Sequence, residues 1–287
     1  MHVDRYGHGG QPVVLLHGFA TSAFLWRDVG LRLARLRHVA YAPDLFGYGE
    51  SDRPFDAEFG IAAQAEYLDR ALTALRVARA TVIGVDIGGA VALRLAATRP
   101  DRVERLMLVN TPAFDAVPGR DIQALERSTF RYALRVSRTV MGAAPLLTPL
   151  LEGGVVDPAR HMPPRLVARY LAPYVGRDGV AHLYALARAL RTADVEDIPL
   201  DTIVAPTLVV RGERDRWLDD ALAARLAGEI PGARLVRVPD AGRLIPEERP
   251  ALLARLIHAF GTDDELPDLA AAEMIAPNGN SSAGAVV

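Results

Sequence analysis

Asp86 has the sequence context of a reactive carboxylate. It stands at the centre of Gly84-Val85-Asp86-Ile87-Gly88, between a β-rich run and a helical pattern. The two flanking glycines permit the sharp turn and close helix packing of a nucleophile elbow. The carboxylate would project into a crevice at the start of the following helix, where the helix dipole favours its ionised form. The same segment could also be an ordinary turn with a helix-capping aspartate.

A second candidate element lies upstream, where Leu15-Leu16-His17-Gly18-Phe19 follows an apolar run. After a His-Gly pair, the next backbone N–H can join that of the residue after the nucleophile to form an oxyanion hole. Phe19 and Ile87 are the predicted donors. His17 belongs to the same loop, and we expect it to contribute to substrate binding.

Short apolar runs alternate with longer helical patterns through most of the chain. Continuous apolar strands separated by helices indicate a mostly parallel sheet covered on both faces, a doubly wound α/β core. The predicted strands are Val13–Leu16, Val39–Ala42, Ala80–Ile83, Leu106–Val109, Thr207–Val210 and Arg234–Val238.

The alternation stops between residues 113 and 199, where helical patterns such as Asp121–Val140 and Pro164–Tyr174 occur without a convincing strand. Ligands of open parallel sheets bind beyond the carboxyl ends of the strands, so this insertion is predicted to cap the crevice. The domain prediction is therefore a core formed by 1–112 and 200–261, with a helical cap at 113–199. The polar tail at 262–287 is predicted to be disordered.

The order of the motifs resembles the α/β-hydrolase superfamily. The His-Gly loop is followed by Asp44–Asp52, the elbow, Gly212–Asp215 and the stretch Asp240–Pro250. In carrying an aspartate at the elbow, the chain resembles the branch of epoxide hydrolases and haloalkane or haloacetate dehalogenases. In that branch the aspartate attacks carbon and forms an ester. The resemblance also implies that Asp215 is the acid of the triad. Asp215 could in addition cap the helix beginning near Leu218, and both roles could hold together.

Several positions depart from the dehalogenases. Haloalkane dehalogenases commonly carry tryptophan after the nucleophile and often asparagine after the His-Gly pair, and haloacetate dehalogenases usually carry arginine after the aspartate. This chain has Ile87 and Phe19 at these positions. Epoxide hydrolases use cap tyrosines to protonate the epoxide oxygen, and the candidates are Tyr132, Tyr170, Tyr174 and Tyr184. Tyr170 and Tyr174 share a helix face if Pro173 does not break the helix.

Arg243 occupies the position where the resemblance places a catalytic histidine. A guanidinium stays protonated and cannot take a proton from water, so an ester at Asp86 should accumulate. We expect Arg243 to pair with Asp86, Asp215 or both, and to depress their pKa values. A base could still arrive from elsewhere, through His161, His182 or His258, although packing is the commoner role of such histidines.

The composition of the chain limits which binding partners and which kinds of chemistry are expected. The 33 basic and 35 acidic residues nearly balance, which favours neither a nucleic-acid nor a membrane partner and leaves a small-molecule substrate. Cysteine and lysine are both absent, which excludes thiol and Schiff-base chemistry. No metal or phosphate-binding motif occurs, so no cofactor is expected. We expect a cytoplasmic monomer or homodimer.

Three functions fit these observations. The first is an epoxide hydrolase-like enzyme with Asp86, Asp215 and Arg243 in an atypical triad. The second is a lyase, isomerase or cyclase that uses the pocket to position a small apolar molecule and to move a proton. The third is a binding protein without chemistry. The two enzymes are favoured because loop, elbow and acid are all present.

Overall fold

The computed structural model describes residues 1–54, 56–119, 122–123, 144–175 and 177–269. Seven strands form one sheet in the order β1-β3-β2-β4-β5-β6-β7. Their bounds are Val3–Tyr6 (β1), Gln11–Leu16 (β2), His38–Pro43 (β3), Ala80–Val85 (β4), Val103–Val109 (β5), Thr207–Gly212 (β6) and Arg234–Val238 (β7). All six predicted strands are present, and the predicted doubly wound, mostly parallel α/β architecture is confirmed.

The first strand was not predicted from the sequence. β1 lies at the sheet edge and pairs only with β3, in the antiparallel direction, whereas the other described pairings are parallel. Val3-Asp4-Arg5-Tyr6 is only partly buried and mixes polar with apolar residues. It therefore lacks the continuous apolar run that identifies the central strands.

Helices cover the sheet in two main groups. α1 (Arg27–Arg35) packs against α11 (Pro250–Thr262), while α2 (Ile61–Ala74) packs against α3 (Ile87–Thr98). α9 (Asp220–Glu229) connects β6 to β7, and α10 (Ile245–Glu248) precedes α11. The central strand β4 is buried along its whole length. The core therefore fixes the strand ends that carry the candidate site.

The chain between β5 and β6 contains helices and, over its described residues, no strand. These inserted helices are α4 (Ala144–Gly153), α5 (Pro158–His161), α6 (Pro164–Leu171), α7 (Arg177–Ala189) and α8 (Ala193–Glu196). The predicted helix at Pro164–Tyr174 is present as α6 followed by a 3₁₀ turn at Ala172–Tyr174. Almost all of the predicted helix Asp121–Val140 lies outside the described residues.

α11 ends at Thr262, and Asp263 adopts a left-handed conformation with φ of 61°. Residues 263–269 form neither helix nor strand, and the rest of the predicted tail, 270–287, lies outside the described residues. Within the part of the chain that the structure describes, no helix has the length and apolar character needed to cross a bilayer.

Candidate active site

Asp86 occupies a strained turn between β4 and α3. Its φ is 54° and its ψ is −126°, a combination that residues other than glycine rarely adopt and that often marks a functional site. The flanking glycines make the turn possible. A Cβ at Gly84 would lie 2.2 Å from the Gly88 carbonyl oxygen, and one at Gly88 would lie 2.4 Å from that of His17. The sharp strand–turn–helix predicted around Asp86 is therefore the geometry that the chain adopts.

The Asp86 carboxylate is 3% exposed, and its two oxygens have different surroundings. Oδ2 accepts the Phe19 N–H at 2.9 Å, so the predicted oxyanion donor binds the carboxylate itself. Oδ1 accepts a hydrogen bond from Arg243 Nη2. A Cβ at Gly18 would lie 2.9 Å from Asp86 Oδ2, which explains why glycine precedes Phe19. The backbone thus fixes one oxygen, and the guanidinium contacts the other.

Arg243 is 7% exposed and lies in the loop after β7. Its guanidinium carbon is 5.2 Å from the centre of the Trp217 ring, a cation–π distance. Asn110, directly after β5, holds this loop by donating from Nδ2 to the carbonyls of Gly242 and Arg243, each at 3.0 Å. Its Oδ1 accepts the Gly212 N–H at 2.9 Å. Asn110 therefore joins the ends of three neighbouring strands behind the site, a role that sequence analysis missed.

The helix after β6 begins at Asp220 and is capped by Asp219, so the predicted capping of that helix by Asp215 is wrong. Asp215 lies beside the Asp86–Arg243 pair and caps a turn instead. Its Oδ1 accepts the backbone N–H groups of Trp217 at 2.9 Å and Leu218 at 3.3 Å. Burial raises the pKa of Asp215, and the smaller opposing effect of the Arg243 charge does not cancel it. The expectation that arginine would depress this pKa is corrected, because desolvation of a carboxylate that is 8% exposed outweighs the attraction.

His17 has a different position from the one expected of a substrate-binding residue. The ring is fully buried, Nδ1 donates to the Gly18 carbonyl at 2.8 Å, and Nε2 accepts the Leu45 N–H at 2.9 Å. Burial lowers the pKa of His17, which keeps the ring neutral. With both nitrogens bonded to backbone, His17 supports the oxyanion loop and presents no polar atom to a ligand.

The two candidate tyrosines of the inserted helices are not equivalent. The Tyr170 hydroxyl donates to Glu247, which also accepts two hydrogen bonds from Arg27 at 2.7 and 2.8 Å. Tyr174 lies in the 3₁₀ turn beyond α6, is buried, and its hydroxyl has no hydrogen-bond partner among the described residues. Of this pair, Tyr174 therefore has the uncommitted donor, and Tyr170 anchors α6 to the core.

Tyr48 is a further buried phenol, which sequence analysis had not selected. Its ring meets those of His17 and Phe19 edge-on, with centroid distances of 5.2 and 6.3 Å. Its hydroxyl has no hydrogen-bond partner within the described chain. Burial raises the pKa of Tyr48, with smaller contributions from Tyr174 and Asp86, so the phenol stays protonated. The position of Tyr48 within the Asp44–Asp52 motif is the sequence feature that could have identified it as a candidate.

The histidines that could have replaced the missing base have other contacts. His182 Nε2 donates to the Gly47 carbonyl at 2.5 Å, and His258 Nδ1 lies 2.8 Å from His38 Nε2. Burial lowers the pKa of His161, on which the nearby charge of Glu247 also acts. These contacts do not bring an imidazole to Asp86. Of the other two tyrosines, Tyr184 is half-buried on α7, and Tyr132 lies outside the described residues.

Two cavities meet at Arg243. The smaller has a volume of about 30 Å³ and is lined by Asp86, Arg243 and mostly apolar side chains, including Phe19, Leu151 and Leu244. The larger, about 520 Å³, is lined by Arg243, Asp215 and Trp217 among others. The smaller cavity has room for about one water molecule. A substrate at Asp86 must therefore displace side chains of α4 or the Arg243 loop.

The comparisons with known proteins agree with this architecture. The family model of the α/β-hydrolase fold matches residues 11–250. The chain belongs to the α/β-hydrolase fold family. It is 29% identical over 267 residues to haloalkane dehalogenase 2 of Mycobacterium tuberculosis, covering 88% of both chains. This relative is a hydrolase, which supports an enzyme of this family.

Solved structures give the same result for the fold. An α/β-hydrolase fold protein from Burkholderia ambifaria has a TM-score of 0.77 and 28% identity, with 91% of this chain and 93% of that chain covered. The epoxide hydrolase CorEH has a TM-score of 0.75 and 23% identity, with 91% and 94% covered. At that identity the second likeness extends to the fold alone.

Proposed function

We propose that this α/β-hydrolase-fold enzyme acts on a small, largely apolar electrophile of the epoxide type, with Asp86 as the nucleophile. The supporting observation is the arrangement of the Asp86 carboxylate, whose Oδ2 is fixed by the Phe19 N–H at 2.9 Å. Oδ1 accepts a hydrogen bond from Arg243, and both residues line the small, mostly apolar cavity. A carboxylate held in this way is oriented before the substrate arrives.

The proposed first step is ester formation. Oδ1 of Asp86 attacks an epoxide carbon, the carbon–oxygen bond breaks, and its electron pair moves to the former ring oxygen. That oxygen takes a proton from a buried phenol, for which Tyr174 and Tyr48 have uncommitted hydroxyls. Water returns the proton to the phenolate. The product of this step is a hydroxyalkyl ester on Asp86 beside an intact Arg243 cation.

The second step of a hydrolase, attack of water on that ester, lacks its usual base. Arg243 stays protonated at accessible pH, and the hydrogen bonds of His182 and His258 are to Gly47 and His38. We therefore expect the ester to persist. Incubation with 1,2-epoxybutane or styrene oxide should add the mass of one epoxide to the intact protein. Asp86→Asn, which keeps the acceptor for Phe19 but is a poor nucleophile, should add none, and an equal gain in both proteins would refute the proposal.

Taking Tyr174 as the proton donor leads to a separate prediction. Tyr174→Phe should slow adduct formation by about 10²-fold or more, the usual size of a general-acid contribution, and should leave thermal stability nearly unchanged. Tyr170→Phe should leave the rate of adduct formation nearly unchanged and lower the stability. It removes a buried hydrogen bond to Glu247, at a cost of about 1–3 kcal/mol. The rate of adduct formation and the urea unfolding curve of each variant, compared with those of the wild type, check this. Equal effects of the two variants on the rate would contradict it.

A second candidate function is favoured by the Asp86–Arg243 ion pair itself. A buried carboxylate neutralised by guanidinium suits positioning and proton transfer in a lyase, isomerase or cyclase. In this function no covalent ester forms. An epoxide panel that leaves the mass unchanged, together with a native activity that Asp86→Asn abolishes, would select it over the first.

A further inference from the structure

Two consecutive glutamates at the end of α10 connect the Arg243 loop, the core and the inserted helices. Glu247 binds Arg27 of α1 and Tyr170 of α6. Glu248 is 5% exposed, and its two oxygens accept different backbone N–H groups. Oε2 accepts that of Gly242 and Oε1 that of Val156, each at 2.6 Å. One carboxylate therefore joins the Arg243 loop to the turn that follows α4.

We propose that Glu248 is the positioning residue of Arg243, holding its loop against the inserted helices so that the guanidinium reaches Asp86. Glu248 does not line the cavity at Asp86, so it acts through the loop and does not touch the reacting atoms. This inference rests on the proposed role of the Asp86–Arg243 pair and names what sets its geometry.

The packing around the loop supports this role. The Leu244 N–H donates to the Gly154 carbonyl at 2.8 Å, so the chain is held on both sides of Arg243. A Cβ at Gly242 would lie 2.9 Å from that same carbonyl oxygen and 3.2 Å from Glu248 Oε2. The loop therefore has little room to move while both contacts of Glu248 are intact. Val156 is exposed, and its N–H is the contact that can open without disturbing the core.

Burial and neighbouring charges act on the pKa of Glu248 in opposite directions. Burial raises the pKa of Glu248 to about 7, against the two N–H donors and the nearby Arg249, and Asp215 raises it slightly further. Further charged groups on the packed elements are Arg243, Glu247 on α10 itself, and Asp157, which follows Val156. Protonation converts one oxygen into an O–H donor that no longer accepts an N–H strongly. Above about pH 7 the carboxylate therefore fixes the loop, and at lower pH one of its two contacts weakens.

Trp217 provides a readout that does not depend on activity. Its ring lies 5.2 Å from the Arg243 guanidinium carbon, and a Cβ at Gly153 would lie 2.9 Å from the ring. Trp217 therefore lies against both the Arg243 loop and the end of α4, the two segments that Glu248 joins. The chain contains two tryptophans, and the other, Trp26, is fully buried in the core. A change in fluorescence near neutral pH would thus come from Trp217, and Trp217→Phe checks this.

The experiment follows tryptophan emission of the full chain from acid to alkaline pH. The wild type should show one transition with a midpoint near pH 7. Glu248→Gln should remove the transition and resemble the wild type at low pH. Glu247→Gln is the matched control, because it makes the same change one residue away and breaks only the Arg27 and Tyr170 contacts, so the transition should remain.

A transition that persists in Glu248→Gln, or is absent from the wild type, would overturn the inference. If Glu248→Gln does not fold, Glu248→Asp tests the same point, because a shorter carboxylate cannot reach both N–H groups. Its transition should shift and lose amplitude, and an unchanged curve would contradict the proposal. The rate of adduct formation with styrene oxide should follow the same titration. Should no adduct form at all, the proposed function fails while the fluorescence result still decides the role of Glu248.

Discussion

Arg243→His should allow the proposed ester on Asp86 to be hydrolysed, so that the variant releases diol repeatedly. A base adds about 10²- to 10⁴-fold to such a step, so steady-state diol formation should rise by at least 10²-fold. The histidine would stand in a loop that Asn110 already holds at 3.0 Å from Nδ2 to the carbonyl of residue 243. Beside it, Asp215 Oδ2 has no hydrogen-bond partner in the described chain and can accept the Nδ1–H. Chromatographic measurement of the diol tests this.

The matched controls separate a base from mere loss of charge. Arg243→Gln removes the guanidinium without supplying a base, and it should not raise diol release. Asp86→Asn combined with Arg243→His should abolish it, because the nucleophile is absent. If Arg243→Gln gains as much as Arg243→His, the guanidinium obstructs the site sterically, and the absence of a base is not what stops turnover.

Arg243→Met should be the most destabilising single change at the site. It removes the guanidinium that contacts buried Asp86 and whose charge acts on buried Asp215, and removing one partner of a buried pair costs about 3–5 kcal/mol. The exposed pair Arg70–Glu66, at 4.0 Å, is a suitable comparison. Arg70→Met should cost about 0.5 kcal/mol or less. Urea unfolding at pH 8 measures both.

The cost of Arg243→Met should also depend on pH. In the wild type the Arg243 charge opposes the burial that raises the pKa of Asp215. Without it the pKa rises further, so the folded state binds a proton that the unfolded state has already lost. A carboxyl of this kind stabilises the fold at low pH and loses that contribution as pH rises through its folded pKa. The free energy of unfolding of Arg243→Met should therefore be closer to that of the wild type at pH 5 than at pH 8. The reverse order would contradict this account.

The sequence predicted the α/β fold because its central strands are continuous apolar runs. The elbow was equally predictable, since Gly84 and Gly88 are the residues whose lack of a Cβ makes the turn possible. β1 was missed because an edge strand of mixed polarity resembles a loop. The expectation that Arg243 pairs with Asp86 agrees with the geometry, since both follow strand ends at the same edge of the sheet.

Other features depend on burial and contacts that a pattern does not contain. Desolvation reversed the expected pKa direction of Asp215, and the backbone groups around His17 occupied both of its nitrogens. Tyr170 and Tyr174 were equivalent by spacing, yet only Tyr170 meets Glu247. Glu248 stands in an acidic pair that looks like a solvated helix end, and its two N–H partners come from distant parts of the sequence.

The lifetime of the ester on residue 86 tests the central claim most directly. Wild type and Arg243→His would be loaded with styrene oxide, freed of excess epoxide, and followed by mass spectrometry of the peptide that contains residue 86. We predict that the added mass is on Asp86, persists in the wild type and decays to diol in Arg243→His. Equal decay in both proteins, or no added mass on Asp86 in either, would contradict the assignment of Asp86 as nucleophile and Arg243 as the residue that leaves the ester without a base.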